Sequence, residues 1–132
     1  MLISTICDLE LAVEVFNLKH RRPHGDISLS NLLDISLNTR ASWPSNESAG
    51  VYVFLDSNKN ITYIGKASFG NCIGGRLNSR FDTRWNPKKP QSEGCKYITT
   101  IALPDEAAFE ASAIEEFLLK HLNTRSNKVG NG

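Results

Sequence analysis

The sequence predicts a single α+β domain in which a small antiparallel sheet of three strands is flanked by helices. Two β-branched and aromatic runs surround an Asp/Asn/Ser-rich turn near the middle of the chain, which is typical of a hairpin. Stretches with apolar residues at helical spacing lie before and after that hairpin. The chain has 132 residues, 40% of them hydrophobic, so it is long enough for one core and too short for two.

Residues 1–46 are predicted to form a helical extension that packs on the remainder, because so short a piece cannot bury a core of its own. Its apolar residues fall into two stretches, 9–18 and 29–37, with a Pro- and Gly-containing breaker between them. The second stretch has leucines three and four residues apart, with Ser28 as a candidate N-cap, and is predicted to be a helix. The first is also interpreted as a helix, although its centre would tolerate a strand.

The predicted hairpin consists of strands at 50–55 and 61–66. Side chains alternate between the two faces of a strand, so the parity of the loop decides where the two hairpin tyrosines point. An even loop places Tyr52 and Tyr63 on the same face, and an odd loop places them on opposite faces.

Four further segments follow the hairpin. A short helix is predicted at 72–81, with Arg76 and Arg80 four residues apart on one of its faces. An irregular basic loop at 82–94 leads to a third strand at 96–103. Pro104 then opens a final helix that ends near residue 121.

Charge is distributed unevenly along the chain. The net charge is +1, but residues 50–97 hold 8 Lys/Arg against 3 Asp/Glu and are at +5. A localised basic stretch is expected for a polyanionic partner such as DNA, although such stretches are more often only solvated. Trp85 in the basic loop either stacks on a base or covers the sheet, and the sequence favours neither. The candidate phosphate-binding cations are Lys66, Arg80, Arg84, Lys88 and Lys89.

Glu115 lies within the apolar stripe of the last helix. On a helical wheel it falls between Ala111, Leu119 and Leu122, whereas Glu116 falls on the polar side. A carboxylate on a buried face is costly unless a cation or hydrogen bonds satisfy it. One carboxylate with water and substrate oxygens is a usual mode of binding Mg²⁺, and an ion pair with Arg76 or another basic residue explains the spacing equally well.

The sequence Gly50-Val51-Tyr52, eleven residues before Tyr63-Ile64-Gly65-Lys66, resembles the two-part signature of the GIY-YIG nucleases. An Arg in the next helix, a Glu in the last helix and Asn127 follow in the order of that family. The resemblance covers roughly residues 49–128, and it implies a three-stranded antiparallel sheet flanked by helices, with 47–132 as the nuclease domain.

The same resemblance implies a metal-dependent endonuclease that hydrolyses phosphodiester bonds in DNA. Tyr52 or Tyr63 would provide or position the base, and Arg76 would stabilise charge on the phosphoryl oxygens. Glu115 would hold Mg²⁺, for which Mn²⁺ could substitute. About three extra residues within 67–75 leave Arg80 as a second candidate for the catalytic arginine. Three supporting positions, Gly50, Gly65 and Asn127, complete the implied site.

Other functions fit the same fold. A catalytically inactive nucleic-acid-binding module would keep the basic stretch, and an interaction scaffold would use residues 1–46. Cutting both strands of DNA would require two sites or two successive cleavage events, so a homodimer is possible. The first residues lack the leading positive charge of a signal peptide, and three dispersed cysteines suggest no disulfide framework. We therefore expect a cytoplasmic protein without membrane association or an organic cofactor.

Overall fold

The structure is a computed structural model that describes residues 2–37, 42–68 and 70–127. Its α+β class confirms the prediction, but within these ranges the sheet has four antiparallel strands where three were predicted. The strands lie in the order β1-β4-β2-β3, which places β3 at one edge. In chain order the elements are α1 (Ile6–Lys19), β1 (Leu33–Asp34), β2 (Ala49–Leu55), β3 (Ile61–Ala67), α2 (Ile73–Arg80), β4 (Tyr97–Leu103) and α3 (Glu110–His121).

Strand β2 lies in the centre of the sheet and all seven of its residues are buried. Because helices cover both faces of the sheet, its side chains are apolar on both sides. Gly50 is required here: its φ is +149°, and a Cβ atom would lie 1.8 Å from the carbonyl oxygen of Ile101. This glycine thus allows β4 to approach β2 closely.

Two hydrophobic clusters form the core, one on each face of the sheet. On one face, alternate residues of β2 and β4 pack against α1 and α3, for example Val53 against Leu9 and Ile114. On the other face, Tyr52 and Phe54 pack with Leu77 of α2. Each helix therefore has a defined side of the sheet, with α3 and α2 on opposite sides of the edge strand β3.

A β-bulge determines where the hairpin tyrosines point. The loop between β2 and β3 has five residues, 56–60, and an odd loop would place Tyr52 and Tyr63 on opposite faces. The register shifts by one between Phe54 and Leu55, so that Phe54 pairs with Tyr63 and Leu55 with Ile61. The buried hydroxyl of Thr62 donates to the carbonyl of Phe54 (3.2 Å) at this shift. Consequently both tyrosines lie on the same face, diagonal to one another.

The helix predicted at 29–37 is wrong. Residues 33 and 34 form β1 and pair with β4, and Ile35–Leu37 is a single 3-10 turn. Ser30 is bonded through its backbone N–H to the Thr100 carbonyl (2.8 Å), and its hydroxyl accepts from the Thr100 N–H (2.9 Å). These bonds to β4 hold the segment extended, so Leu29, Leu32 and Leu33 are only partly buried and Leu37 is 67% exposed.

The remaining helices agree with the predictions in type. Helix α1 begins with a capping box, in which the carboxylate of Asp8 accepts from the Thr5 N–H at 2.9 Å. Helix α2 lies within the predicted span, and α3 begins later than predicted because Asp105–Ala107 first forms a 3-10 turn. Within the described ranges, no helix has the length and apolar character needed to cross a bilayer.

Candidate active site

The two hairpin tyrosines lie side by side near the edge strand β3. Their ring centroids are 6.3 Å apart. Tyr52 pairs across the strands with Gly65, and its ring lies over the place where a Cβ atom of Gly65 would be, 2.4 Å away. Gly65 therefore makes room for the Tyr52 ring. Tyr52 is fully buried, whereas Tyr63 is partly exposed.

Arg80 joins the two phenols. Its Nε donates to the Tyr52 hydroxyl at 3.0 Å, and one terminal nitrogen donates to the Tyr63 hydroxyl at 3.4 Å. The guanidinium carbon also lies 5.1 Å from the Tyr63 ring centroid, within cation–π range. Arg80 was predicted to bind substrate, and its observed contacts are with the tyrosines. A guanidinium that donates to both hydroxyls fixes the relative orientation of the phenols.

Glu115 faces the same edge of the sheet from α3. It is half-buried, and burial raises the pKa of its carboxyl group, an effect that attraction by Lys66 and Arg76 opposes. Within residues 2–37, 42–68 and 70–127, its carboxylate forms neither an ion pair within 4.0 Å nor a side-chain hydrogen bond. Lys66 instead donates to the hydroxyl of Ser112, one helical turn earlier, at 2.8 Å. Glu115 is therefore a carboxylate close to positive charge whose oxygens have no protein partner among these residues.

Arg76 lies on α2 one turn before Arg80, but its environment differs. It is exposed, and its Nε donates to the backbone carbonyl of Lys66 at 3.2 Å. That contact places the guanidinium at the outer edge of β3, where it attracts both Glu115 and the phenolate form of Tyr63. Among the described residues the other donors of the Arg76 guanidinium have no hydrogen-bond partner, so they can meet an anion.

The environment of Tyr63 favours the protonated phenol. Burial raises its pKa above the ordinary value, and the neighbouring Tyr52 and Glu115 raise it further. Arg80 and Arg76 act in the opposite direction without overcoming burial. At neutral pH, Tyr63 therefore carries its proton in the unliganded protein.

Asn127 closes the outer edge of β3 beside Tyr63. Its Oδ1 accepts from the backbone N–H of Ile64 at 2.7 Å, and its Nδ2 donates to the carbonyl of Ile64 at 3.0 Å. The preceding residue, Ser126, donates from its backbone N–H to Thr62 at 2.7 Å. Asn127 was predicted to support the site, and its side chain bonds to the strand that carries Tyr63 and accepts from the Thr124 hydroxyl at 3.0 Å.

The predicted substrate-binding residues Arg84, Lys88 and Lys89 are exposed and lie on the loop after α2. In the described part of the chain, none of their side chains contacts the tyrosines, Arg76 or Glu115 through a hydrogen bond or ion pair. The loop is nevertheless tied to the site, because the Lys88 N–H and the Ser92 hydroxyl both donate to the carbonyl of Arg80, at 3.0 and 2.8 Å.

Comparison with protein-family models, with curated proteins and with solved structures finds no match. The resemblance to the GIY-YIG nucleases therefore depends on the residues of this chain alone. Six of the side chains singled out in the sequence share the edge of β3: Tyr52, Tyr63, Lys66, Arg76, Arg80 and Glu115.

Three supporting residues were not found from the sequence. Ser112 holds the ammonium group of Lys66, Trp43 stacks on Trp85, and Asp82 organises the basic loop. Each of these residues acts through a partner distant in sequence or through a turn conformation. Such contacts produce no regular spacing of residues that the sequence could reveal. Arg80 did have such a signal, its four-residue separation from Arg76.

Proposed function

We propose that this protein is a metal-dependent endonuclease that hydrolyses phosphodiester bonds in DNA, with a site of the GIY-YIG type. The observation that carries the proposal is the half-buried carboxylate of Glu115, without a protein partner among the described residues, beside Tyr63 and two cations. A lone carboxylate near phenols and guanidinium groups suits a phosphate ester bound together with a metal ion.

The residues fit a divalent cation of the Mg²⁺ type, with Mn²⁺ as a substitute. Within the described ranges no three His, Cys, Asp or Glu side chains cluster, so the protein would supply Glu115 alone. Such single-carboxylate binding, completed by water and phosphate oxygens, is common for Mg²⁺. The ion would supply positive charge that neutralises Glu115 and stabilises the negative charge of the reacting phosphate.

Tyr63 is the phenol that would meet the substrate, since Tyr52 is fully buried. We assign to Tyr63 the acceptance of the proton from the attacking water. The base would be the minor phenolate form of Tyr63, which Arg80 would stabilise by donating to its oxygen, and which becomes the neutral phenol when it accepts that proton. Tyr52 would act as a positioning residue, because its hydroxyl fixes Arg80 through the 3.0 Å bond.

Arg76 is the residue we assign to the phosphate. It is exposed, lies near Glu115 and Tyr63, and uses only its Nε in the contact with β3. A guanidinium remains protonated and can bind two phosphoryl oxygens together, which suits the charge that develops during hydrolysis. Lys66, held by Ser112, and the exposed Arg84, Lys88 and Lys89 would bind flanking phosphates.

The test is incubation of the full chain with linear, supercoiled and branched DNA, in Mg²⁺ or in EDTA, with the products resolved by size. Glu115→Gln is expected to lower metal-dependent cleavage by about 100-fold or more. The matched control is Glu116→Gln, its exposed neighbour on the same helix, which should stay within about twofold of wild type.

Circular dichroism and thermal unfolding show whether each variant is folded. Undiminished cleavage by a folded Glu115→Gln variant would contradict the assigned site. Cleavage that continues in EDTA would contradict the metal dependence.

A second candidate is a nucleic-acid-binding module without turnover. The raised pKa of Tyr63 and the complete burial of Tyr52 favour it, because neither phenol is prepared as a base in the unliganded protein. This candidate predicts DNA binding that weakens steeply with salt, and no product with either Mg²⁺ or Mn²⁺.

A further inference from the structure

The loop after α2 holds Trp85 in a strained backbone conformation. Its φ is +65°, a region that bulky side chains rarely adopt. The Asp82 carboxylate accepts from the N–H groups of Arg84 and Asn86, both at 2.8 Å, and the Trp85 N–H donates to the Asp82 carbonyl at 2.9 Å. Asparagine or glycine would fit this turn with less strain, so the conformation serves to place the indole.

One face of that indole packs against a ring that is itself held in place. The Trp85 and Trp43 rings are stacked, with centroids 4.4 Å apart and planes 26° from parallel. Trp43 is only 5% exposed, and its indole N–H donates to the side-chain carbonyl of Asn78 on α2 at 2.8 Å. Trp85 is therefore held rigidly against the domain.

Trp85 packs against the core cluster on the α2 side of the sheet, but its side chain is partly exposed. Within the described ranges, Trp43 is the one aromatic ring that stacks on Trp85, and no cation lies over it. Its indole N–H has no partner there, and no unpaired side-chain nitrogen is buried in that part of the chain. That N–H therefore reaches solvent, and part of the ring system is open to a ligand.

The surroundings suit a nucleic-acid strand. Exposed cations lie on both sides of Trp85 in the chain, Arg84 before it and Lys88 and Lys89 after it. The loop is also tied to the carbonyl of Arg80, the residue that holds both tyrosines. Aromatic side chains next to backbone-binding cations are the combination that binds unpaired bases.

We propose that Trp85 is a stacking site for an unpaired nucleobase of the DNA substrate, with Arg84, Lys88 and Lys89 on the adjoining phosphates. The inference rests on the proposed function and narrows its substrate to DNA with unpaired bases near the cleavage point, such as an end, a flap or a junction. Bases inside a duplex stack on each other, so the indole gains a partner only where pairing is interrupted.

The test measures binding of the full chain in EDTA, so that no turnover is required. The probes are a labelled oligothymidylate of about 16 nucleotides and a blunt duplex of the same length. The two tryptophans are stacked, so quenching of their emission is assigned to Trp85 by comparison with Trp85→Phe, which keeps only the buried Trp43. We expect quenching by the single strand and little by the duplex.

Three variants make the test specific. Trp85→Ala should weaken single-strand binding about tenfold and duplex binding less than about twofold. Trp85→Phe keeps an aromatic surface and should retain most of the single-strand affinity while the quenching disappears. Phe109→Ala removes an aromatic that is 71% exposed at the acidic start of α3, and should change neither affinity.

The inference is overturned if Trp85→Ala binds the single strand as tightly as wild type. It is equally overturned if folded Trp85→Phe loses single-strand and duplex binding together. Binding is measured in EDTA and cleavage is measured separately with metal, so the two proposals can fail independently. Stacking without cleavage would contradict only the nuclease proposal. Cleavage without stacking would contradict only this inference.

Discussion

The ring of Tyr52 lies directly over Gly65 of the neighbouring strand, in the space that a Cβ atom at residue 65 would occupy. The same tyrosine carries the hydroxyl that fixes Arg80. A single methyl group on the edge strand would therefore move a phenol, a guanidinium and the hydrogen bond between them.

Gly65→Ala is expected to displace the Tyr52 ring, because the added Cβ would lie 2.4 Å from it. Overpacking of this kind costs about 1–3 kcal/mol of unfolding free energy, measurable by urea denaturation, and cleavage should fall with it. Gly75→Ala is the control: its Cβ would meet only the Cys72 sulfur at 3.4 Å, and alanine favours a helix. Equal losses in both variants would contradict the role assigned to Gly65.

Glu115→Gln is expected to stabilise the protein at neutral pH. Burial raises the folded-state pKa of Glu115, so its contribution to stability is present below the unfolded pKa and lost as pH rises through the folded value. The increase in unfolding free energy of the glutamine variant should appear at about pH 8 and vanish at about pH 4. It should stay below about 1 kcal/mol, since solvent screens a half-exposed group.

Metal binding gives that variant a second readout. Mg²⁺ should raise the melting temperature of wild type and leave that of Glu115→Gln unchanged, since a ligand stabilises only the state that binds it. A variant less stable than wild type at about pH 8 would show that Glu115 has a stabilising partner instead.

The pH profile of cleavage tests Tyr63 as the base. Burial keeps the pKa of Tyr63 above its ordinary value, so the phenolate fraction, and with it kcat/KM, should rise about tenfold per pH unit through the neutral range. Tyr63→Phe should lose most of the activity, and its remaining kcat/KM should no longer rise with pH. Tyr97→Phe, outside the site, should keep both, and a wild-type profile that is flat above about pH 7 would exclude this role.

The two arginines of α2 should separate in their effects. Arg80→Gln removes the donor of two phenol hydroxyls, one of them buried, and should cost about 1–3 kcal/mol of stability as well as activity. Arg76 is exposed, so Arg76→Gln should cost less than about 0.5 kcal/mol while lowering kcat about 100-fold. The comparison needs denaturation curves and single-turnover rates of both variants. A large loss of stability in Arg76→Gln and a loss of kcat alone in Arg80→Gln would show that the two arginines have the opposite roles.

The hairpin, α2 and the last helix could be predicted because their signals are local: β-branched runs around a turn, and apolar residues at helical spacing. The relative facing of Tyr52 and Tyr63 could not, because it depends on a bulge at Thr62 that leaves no mark in the sequence. Loop length alone would have given the wrong answer.

Tertiary bonds overrode the local pattern at 29–37. The leucine spacing is helical, but Ser30 exchanges hydrogen bonds with Thr100, seventy residues away, and β1 pairs with β4. A long-range contact also places Trp85, which packs on Trp43, and its stacking on a base stays a prediction. Glu115 was placed correctly on the wheel because the period of a helix is independent of its neighbours.

Because Asn127 pairs with the outer edge of β3, this edge is completed only late in the synthesis of the chain. Ile64 is made more than sixty residues before Asn127, and until then the outer edge of β3 lacks the amide that pairs with it. On the ribosome, the nascent hairpin therefore presents open backbone groups to other chains for the time that translation of α2, β4 and α3 requires.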